Sequence, residues 1–319
     1  LPFTLRRRAL LAAFPVAYAR AAPSAEIRLD WATYNPVSLV LRQQALLEAA
    51  LAQDGIAVRW VQSAGSNKAL EFLNAGALDF GSTAGAAALI GRANGNPVRA
   101  IYVYSHPEWT ALVTQAASPV RTVADLHGRP VAATRGTDPH IFLIRALADA
   151  GMSERDVKLV LLQHADGRAA LERGDVNAWA GLDPLMASAE IESGARLFYR
   201  RPQLNTFGVL NVREAFAAEH PDLVRRVLAA YEQARLWAVA NPSELRALLV
   251  AATKLPDAVI ARQLERTDLS SGRIGTSQAY TIAEAGAALQ RAGVLDAQAD
   301  VRALTRALID PSFGDAAGI

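Results

Sequence analysis

Three stretches of this chain have the residue types that hold an anion without a basic side chain. SAGSNKAL (63–70), GSTAGAAAL (81–89) and TRGTDPHIFL (134–143) each place Gly, Ser or Thr where a strand gives way to a helix. Free backbone N–H groups and the positive end of the helix dipole are available at such a junction. The same residue types are also ordinary N-caps, so any one stretch fits either role. Three of them at carboxyl ends of strands coincide with the usual ligand position of α/β sheets. In the third, Asp138 precedes Pro139, the favoured first helical residue, and is placed to cap its own helix. A carboxylate there would repel an anion.

Aromatic residues supply a second signal. Tyr34, Trp109, Trp179 and Phe207 fall at strand ends or in loops, away from helical stripes. They fit an apolar wall for a ligand's tail, and Trp179 and Phe207 fit sheet core equally well. Covalent chemistry has little support. There is no G-x-S-x-G, H-E-x-x-H, Walker or dinucleotide-binding pattern, and the five histidines lack ligand spacing. The chain has no cysteine, which excludes disulfides, thiolate metal sites and thiol nucleophiles.

The elements that must position these residues follow an alternating grammar. Strand-like runs at 27–32, 57–62, 78–83, 98–104 and 110–115 are separated by helical ones, and the pattern restarts near residue 122 with strands at 130–134, 158–163 and 176–181. Such alternation implies βαβ units and largely parallel sheets covered on both faces. From Arg213 the pattern is helical, with one apolar stripe running from 215 to 240.

The 319 residues have room for about two domains of roughly 150 residues each. At 51% hydrophobic and 20% charged, the chain has material for buried cores. No run of about 18 uncharged apolar residues exists. Arg6, Arg7, Arg8 and Arg20 lie in the first twenty-two residues, where no acid occurs; without those four, the 33 basic residues fall to 29 against 31 acids. The remainder carries no basic patch for nucleic acid. Residues 1–22 combine that basic cluster with an apolar run from Ala9 to Ala19 and small residues around Ala21, the pattern of a secretory signal.

Several long segments carry a family resemblance: AGSNKALEFLNAGALDFGSTAGAAAL (64–89), SPVRTVADLHGRPVAATRGTDPHIFLIRALADAGM (118–152), LQHADGRAALERGDVNAWAGLDPLMASAE (162–190) and EHPDLVRRVLAAYEQARLWAVANP (219–242). Their order resembles the periplasmic solute-binding proteins of aliphatic-sulfonate, taurine and nitrate ABC importers, most of all the alkanesulfonate-binding group. The resemblance implies an α/β, two-lobed, type II-like periplasmic binding protein fold with a two-stranded hinge. Residues 26–115 would begin one lobe, 119–204 would form the other, and 205–319 would return and pack mainly on the first. It implies a monomer in the periplasm that binds a small anion, an alkanesulfonate, without cofactor or metal. The ligand would pass to the transmembrane subunits of an ABC permease with its ATPase, in sulfur acquisition.

Ligand contacts carry over to Ser63, Gly65, Ser66, Thr83, Ala84, Gly85, Thr137, Asp138, His140, Trp179 and Asp183. Tyr34, Asn35, Trp109 and Phe207 join them as candidate walls. The first loop, TYNPVS, departs from the Gly- or Lys-containing loop of relatives, and Asp-Pro in GTDPH replaces smaller residues. An enzyme of the thiamine-pyrimidine type would share the fold but work through histidine and a cysteine-rich motif, and this chain has no cysteine.

Overall fold

Ile27 and Leu29 of β1 (Glu26–Trp31) are fully buried while Arg28 between them reaches the rim, so the strand starts with the period of two that its sequence shows. A computed structural model describes residues 25–317, and the expected signal segment 1–22 lies outside them. β2 (Ala57–Gln62), β3 (Phe80–Ala84) and β4 (Val98–Pro107) follow, separated by helices. The chain then builds β5 (Leu112–Thr114), β6 (Pro130–Ala133), β7 (Lys158–Leu161), β8 (Ala178–Ala180) and β9 (Arg196–Tyr199). It returns through β10 (Gly208–Arg213) and adds β11 (Thr267–Asp268).

These strands make two mixed sheets, ordered β11-β4-β10-β3-β1-β2 and β7-β6-β8-β5-β9. β1 pairs parallel with β2 and β3, and β6 pairs parallel with β7 and β8. β10 runs antiparallel between β3 and β4, which is how the returning chain re-enters the first sheet. The chain therefore crosses between sheets after β4 and again before β10. The crossings are tied together where Thr110 N donates to Asn205 Oδ1 at 3.0 Å.

β3 is buried at every position because it lies inside the sheet with helices on both faces. The C-terminal helices cover the first sheet. Leu245, Leu249, Ile260, Ile282, Leu289 and Leu308 all pack into its two cores. The apolar stripe at 215–240 divides into Glu214–Glu219 and Pro221–Ala240. Pro221 has no N–H to continue the first helix and suits the first turn of the second. Among the described residues no helix is long and apolar enough to cross a membrane.

The two units are in contact on both sides of the cleft between them. Ile141 and Ile144, on the helix Asp138–Asp149 after β6, pack with Phe207, Ile282 and Leu289 of the first unit. Leu182, just after β8, joins the first unit's other core.

Candidate functional site

Three helices begin at the cleft: Ser66–Asn74 after β2, Asp138–Asp149 after β6, and His164–Arg173 after β7. None is capped by the side chain of its N-cap residue, Gly65, Thr137 or Gln163. They come from opposite sides and meet. A Cβ at Gly65 would stand 2.9 Å from Asn67 Oδ1 and 3.0 Å from His164 Nε2, and one at Gly136 would stand 3.8 Å from Asn67 Cβ. The positive ends of the Ser66 and His164 helix dipoles are thus turned on one place, where free amides favour negative charge, while the third start carries the buried Asp138 carboxylate. Asn67 Oδ1 and His164 Nε2 are buried there without a hydrogen-bond partner. Buried polar atoms are rarely left so.

The junction after β3 has a different role. Gly85 N donates to Phe207 O at 2.9 Å, and Ala86 N donates to Thr206 Oγ1 at 3.2 Å. Ala84 N donates to Ser66 Oγ at 3.0 Å. Thr83 Oγ1 accepts from Asn211 Nδ2 at 2.8 Å, and its carbonyl accepts from the Tyr104 hydroxyl. The returning chain therefore closes this helix start, and Thr83, Ala84 and Gly85 form a structural joint rather than an anion cradle.

Asp138 differs from its expected role as a cap. Its carboxylate accepts from Trp109 Nε1 at 2.8 Å, from Thr206 N at 3.0 Å and from Thr206 Oγ1 at 2.7 Å. Burial pushes this carboxyl above the ordinary range while those donors pull the other way. The residue ties both crossings to the second unit and has no oxygen to spare for a ligand's ammonium. Removing one donor tests this. Thr206→Val leaves a buried carboxylate short of a hydroxyl and Ala86 N without its acceptor, so it should cost about 2 kcal/mol in chemical unfolding. A loss below about 0.5 kcal/mol would show the tie to be idle.

Other expected contacts are also committed elsewhere. Asn35 caps its own helix, Oδ1 accepting from Ser38 N at 3.0 Å, and its Nδ2 donates to Ser82 Oγ at 2.8 Å. The Thr137 hydroxyl donates to Thr134 O at 2.6 Å. His140 Nε2 lies 2.8 Å from Glu154 Oε1, turned away from the cleft. Asp183 accepts from Ala187 N at 2.8 Å, stands 3.5 Å from Arg266 Nη1, and is pushed up to about 7 by burial. Arg266 also pairs with Glu190, so Asp183 belongs to an ionic tie between the units.

Trp179 is fully buried among Ala111, Val113, Ala132, Leu171 and Met186. It lies under Gly167 of the His164 helix, where a Cβ would come 2.8 Å from its Nε1. Trp179 is core, not wall. Phe207 stacks on His106 with centroids 4.5 Å apart. Tyr34 and Trp109 stand edge to face at 6.0 Å, both buried in the first unit's core, with Trp109 held at the start of the Asp138 helix.

The structure thus brings Gly65 and Ser66 to the meeting place, with Trp109 held at the neighbouring helix start, and adds Asn67 and His164, which the sequence did not single out. His164 was legible in principle. It opens a helix directly after β7, the same strand-to-helix junction as the others, but Gln-His lacks the Gly, Ser or Thr that drew attention to them. Among the described residues no group of three His, Cys, Asp or Glu side chains gathers as a metal site would.

Residues 51–245 match the family described as NMT1/THI5 like. A protein of Escherichia coli (strain K12) named as an aliphatic sulfonates-binding protein is 30% identical over 251 residues, 77% of either chain. Among solved structures, the alkanesulfonate-binding protein SsuA of Xanthomonas axonopodis pv. citri, bound to MOPS, superposes with a TM-score of 0.82 at 25% identity. That match covers 91% of this chain and 99% of SsuA. The periplasmic aliphatic sulphonate binding protein SsuA of Escherichia coli gives 0.75 at 26% identity, covering 88% and 91%. The two sheets with their flanking helices are the periplasmic binding protein fold, and the chain belongs to the NMT1/THI5-like family.

Proposed function

We propose that this chain is an extracytoplasmic binding protein that captures aliphatic sulfonates between its two lobes. It would serve, as a periplasmic monomer, the transmembrane subunits and ATPase of an ABC importer in sulfur acquisition, and it would perform no chemistry. The observation that carries the reading is the meeting of the Ser66 and His164 helix starts, one from each lobe, beside the buried, unpartnered His164 Nε2. A sulfonate has three oxygens and one fixed negative charge. Amides at Ser66 and Asn67, with their counterparts across the cleft, offer the neutral donors such a group needs. Hydrogen bonds to a charged group are worth roughly 1.5–3 kcal/mol each. Because the donors come from opposite lobes, the full set exists only when the cleft is shut, which couples capture to closure.

The tail should lie against Tyr34 and Trp109. Each methylene buried there adds about 0.8 kcal/mol, close to fourfold in affinity, until the space is filled. Calorimetry from methane- to pentanesulfonate should show that ladder, with sulfate, nitrate and taurine weaker. A flat series with nitrate or taurine bound more tightly would replace the ligand assignment. Turnover of the bound compound would replace the functional one.

A further inference from the structure

We propose that His164 is a proton-linked anion-binding residue of the cleft: a sulfonate binds against its imidazolium Nε2–H, and binding takes up a proton from solvent. The inference rests on the sulfonate reading above and adds to it a chemical partner and a pH dependence.

The geometry fixes which nitrogen faces the ligand. Thr134 Oγ1 donates its one hydrogen to Leu162 O at 2.7 Å, so its oxygen is left to accept from His164 Nδ1 at 3.1 Å. With Nδ1 protonated, the neutral ring presents the bare lone pair of Nε2 toward Gly65 and Asn67. That atom has no partner, and the residue is 3% exposed. It sits at the first position of its helix, among the three helix starts, where a second positive charge is unwelcome and water is scarce. Burial alone holds the ring's pKa down to about 4.

The ionisable neighbours do not offset this. On the Ser66 helix, Lys68 and Glu71 pair with each other at 2.7 Å. Arg135 precedes the Asp138 helix, and Asp138 is bound to Trp109 and Thr206. On its own helix Asp166 follows by two positions, and among the described residues no carboxylate lies within 4.0 Å of the His164 ring.

An anion reverses the balance. Against a lone pair a sulfonate oxygen is repelled; against Nε2–H it accepts a charge-assisted hydrogen bond inside a low-dielectric cleft. The complex therefore holds its proton to a higher pH than the free protein. A group raised by binding strengthens affinity as pH falls through the raised value, about tenfold per pH unit, until the free ring also protonates. The sulfonate itself stays ionised throughout, so the ligand contributes no titration of its own.

The test uses the full mature chain with pentanesulfonate. Calorimetry at pH 6 in buffers of different ionisation enthalpy should show uptake of at least half a proton per ligand. The Kd should tighten at least tenfold from pH 7 to pH 5. His164→Gln, which offers an N–H at every pH, should abolish both effects while still binding. Thermal melting of the variant checks that it folds, and the wild-type proton count stands without it. Tight binding with no proton uptake, or weaker binding at pH 5, would overturn this inference and leave the sulfonate reading intact. Failure to bind any alkanesulfonate between pH 5 and 8 would overturn both.

Discussion

Trp179→Ala is expected to lower stability by about 3–5 kcal/mol, the range for deleting a large buried aromatic side chain. The indole has no exposed surface, and it packs between the His164 helix and the helix Leu185–Ser193 against one face of the second sheet. Ala178 and Ala180 on either side belong to the opposite face. Removing the ring would leave a cavity whose floor is Ala132 and whose lid is Gly167, neither of which can move a side chain into it. The melting temperature should fall by several degrees or more. Below that temperature the variant should still rank alkanesulfonates by chain length, because the ring touches no part of the proposed tail site. A variant that melts like the wild type but loses the chain-length ladder would return Trp179 to the ligand wall.

That reversal shows where sequence reasoning stops. The alternation of strands and helices was legible because both periods are local, and so was the α/β class. β8 is only three residues long, too short to reveal which of its faces a tryptophan takes. The room for that ring is made by Gly167, a helix position that carries no mark of its partner. The junction at Thr83–Gly85 misled for a related reason. Its amides are closed by Thr206 and Phe207, and the Ala86 to Thr206 bond spans 120 positions. No local pattern reports a cap delivered from that far away. Asp138 has the sequence of a self-capping residue, yet the two crossings bring Trp109 and Thr206 to it first. Of the three anion-binding candidates, the SAGSN stretch keeps its character because its helix start carries no carboxylate and faces the His164 helix start.

Gly65→Val is expected to weaken sulfonate binding by about 30- to 100-fold while leaving the folded lobes nearly as stable as before. Gly65 has extended backbone, at φ 163° and ψ 166°, which any residue adopts, so the substitution brings no conformational strain of its own. What it brings is volume. The first added carbon would already stand 2.9 Å from Asn67 Oδ1 and 3.0 Å from His164 Nε2. Asn67 can swing aside, but the His164 ring is anchored through Nδ1 to Thr134. Two further methyl groups cannot be accommodated without parting the lobes. Overpacking of this kind costs about 1–3 kcal/mol, and the upper half of that range corresponds to the stated loss in affinity. The penalty falls on the shut cleft alone, so chemical unfolding of the ligand-free variant should stay within about 1 kcal/mol of wild type. Small-angle scattering should find the variant more extended than wild type at the same sulfonate concentration. Gly65→Ala, with one carbon instead of three, should fall between them. Wild-type affinity in Gly65→Val would mean that the Ser66 and His164 helix starts do not meet around the ligand, and the proposed anion site would have to lie elsewhere in the cleft.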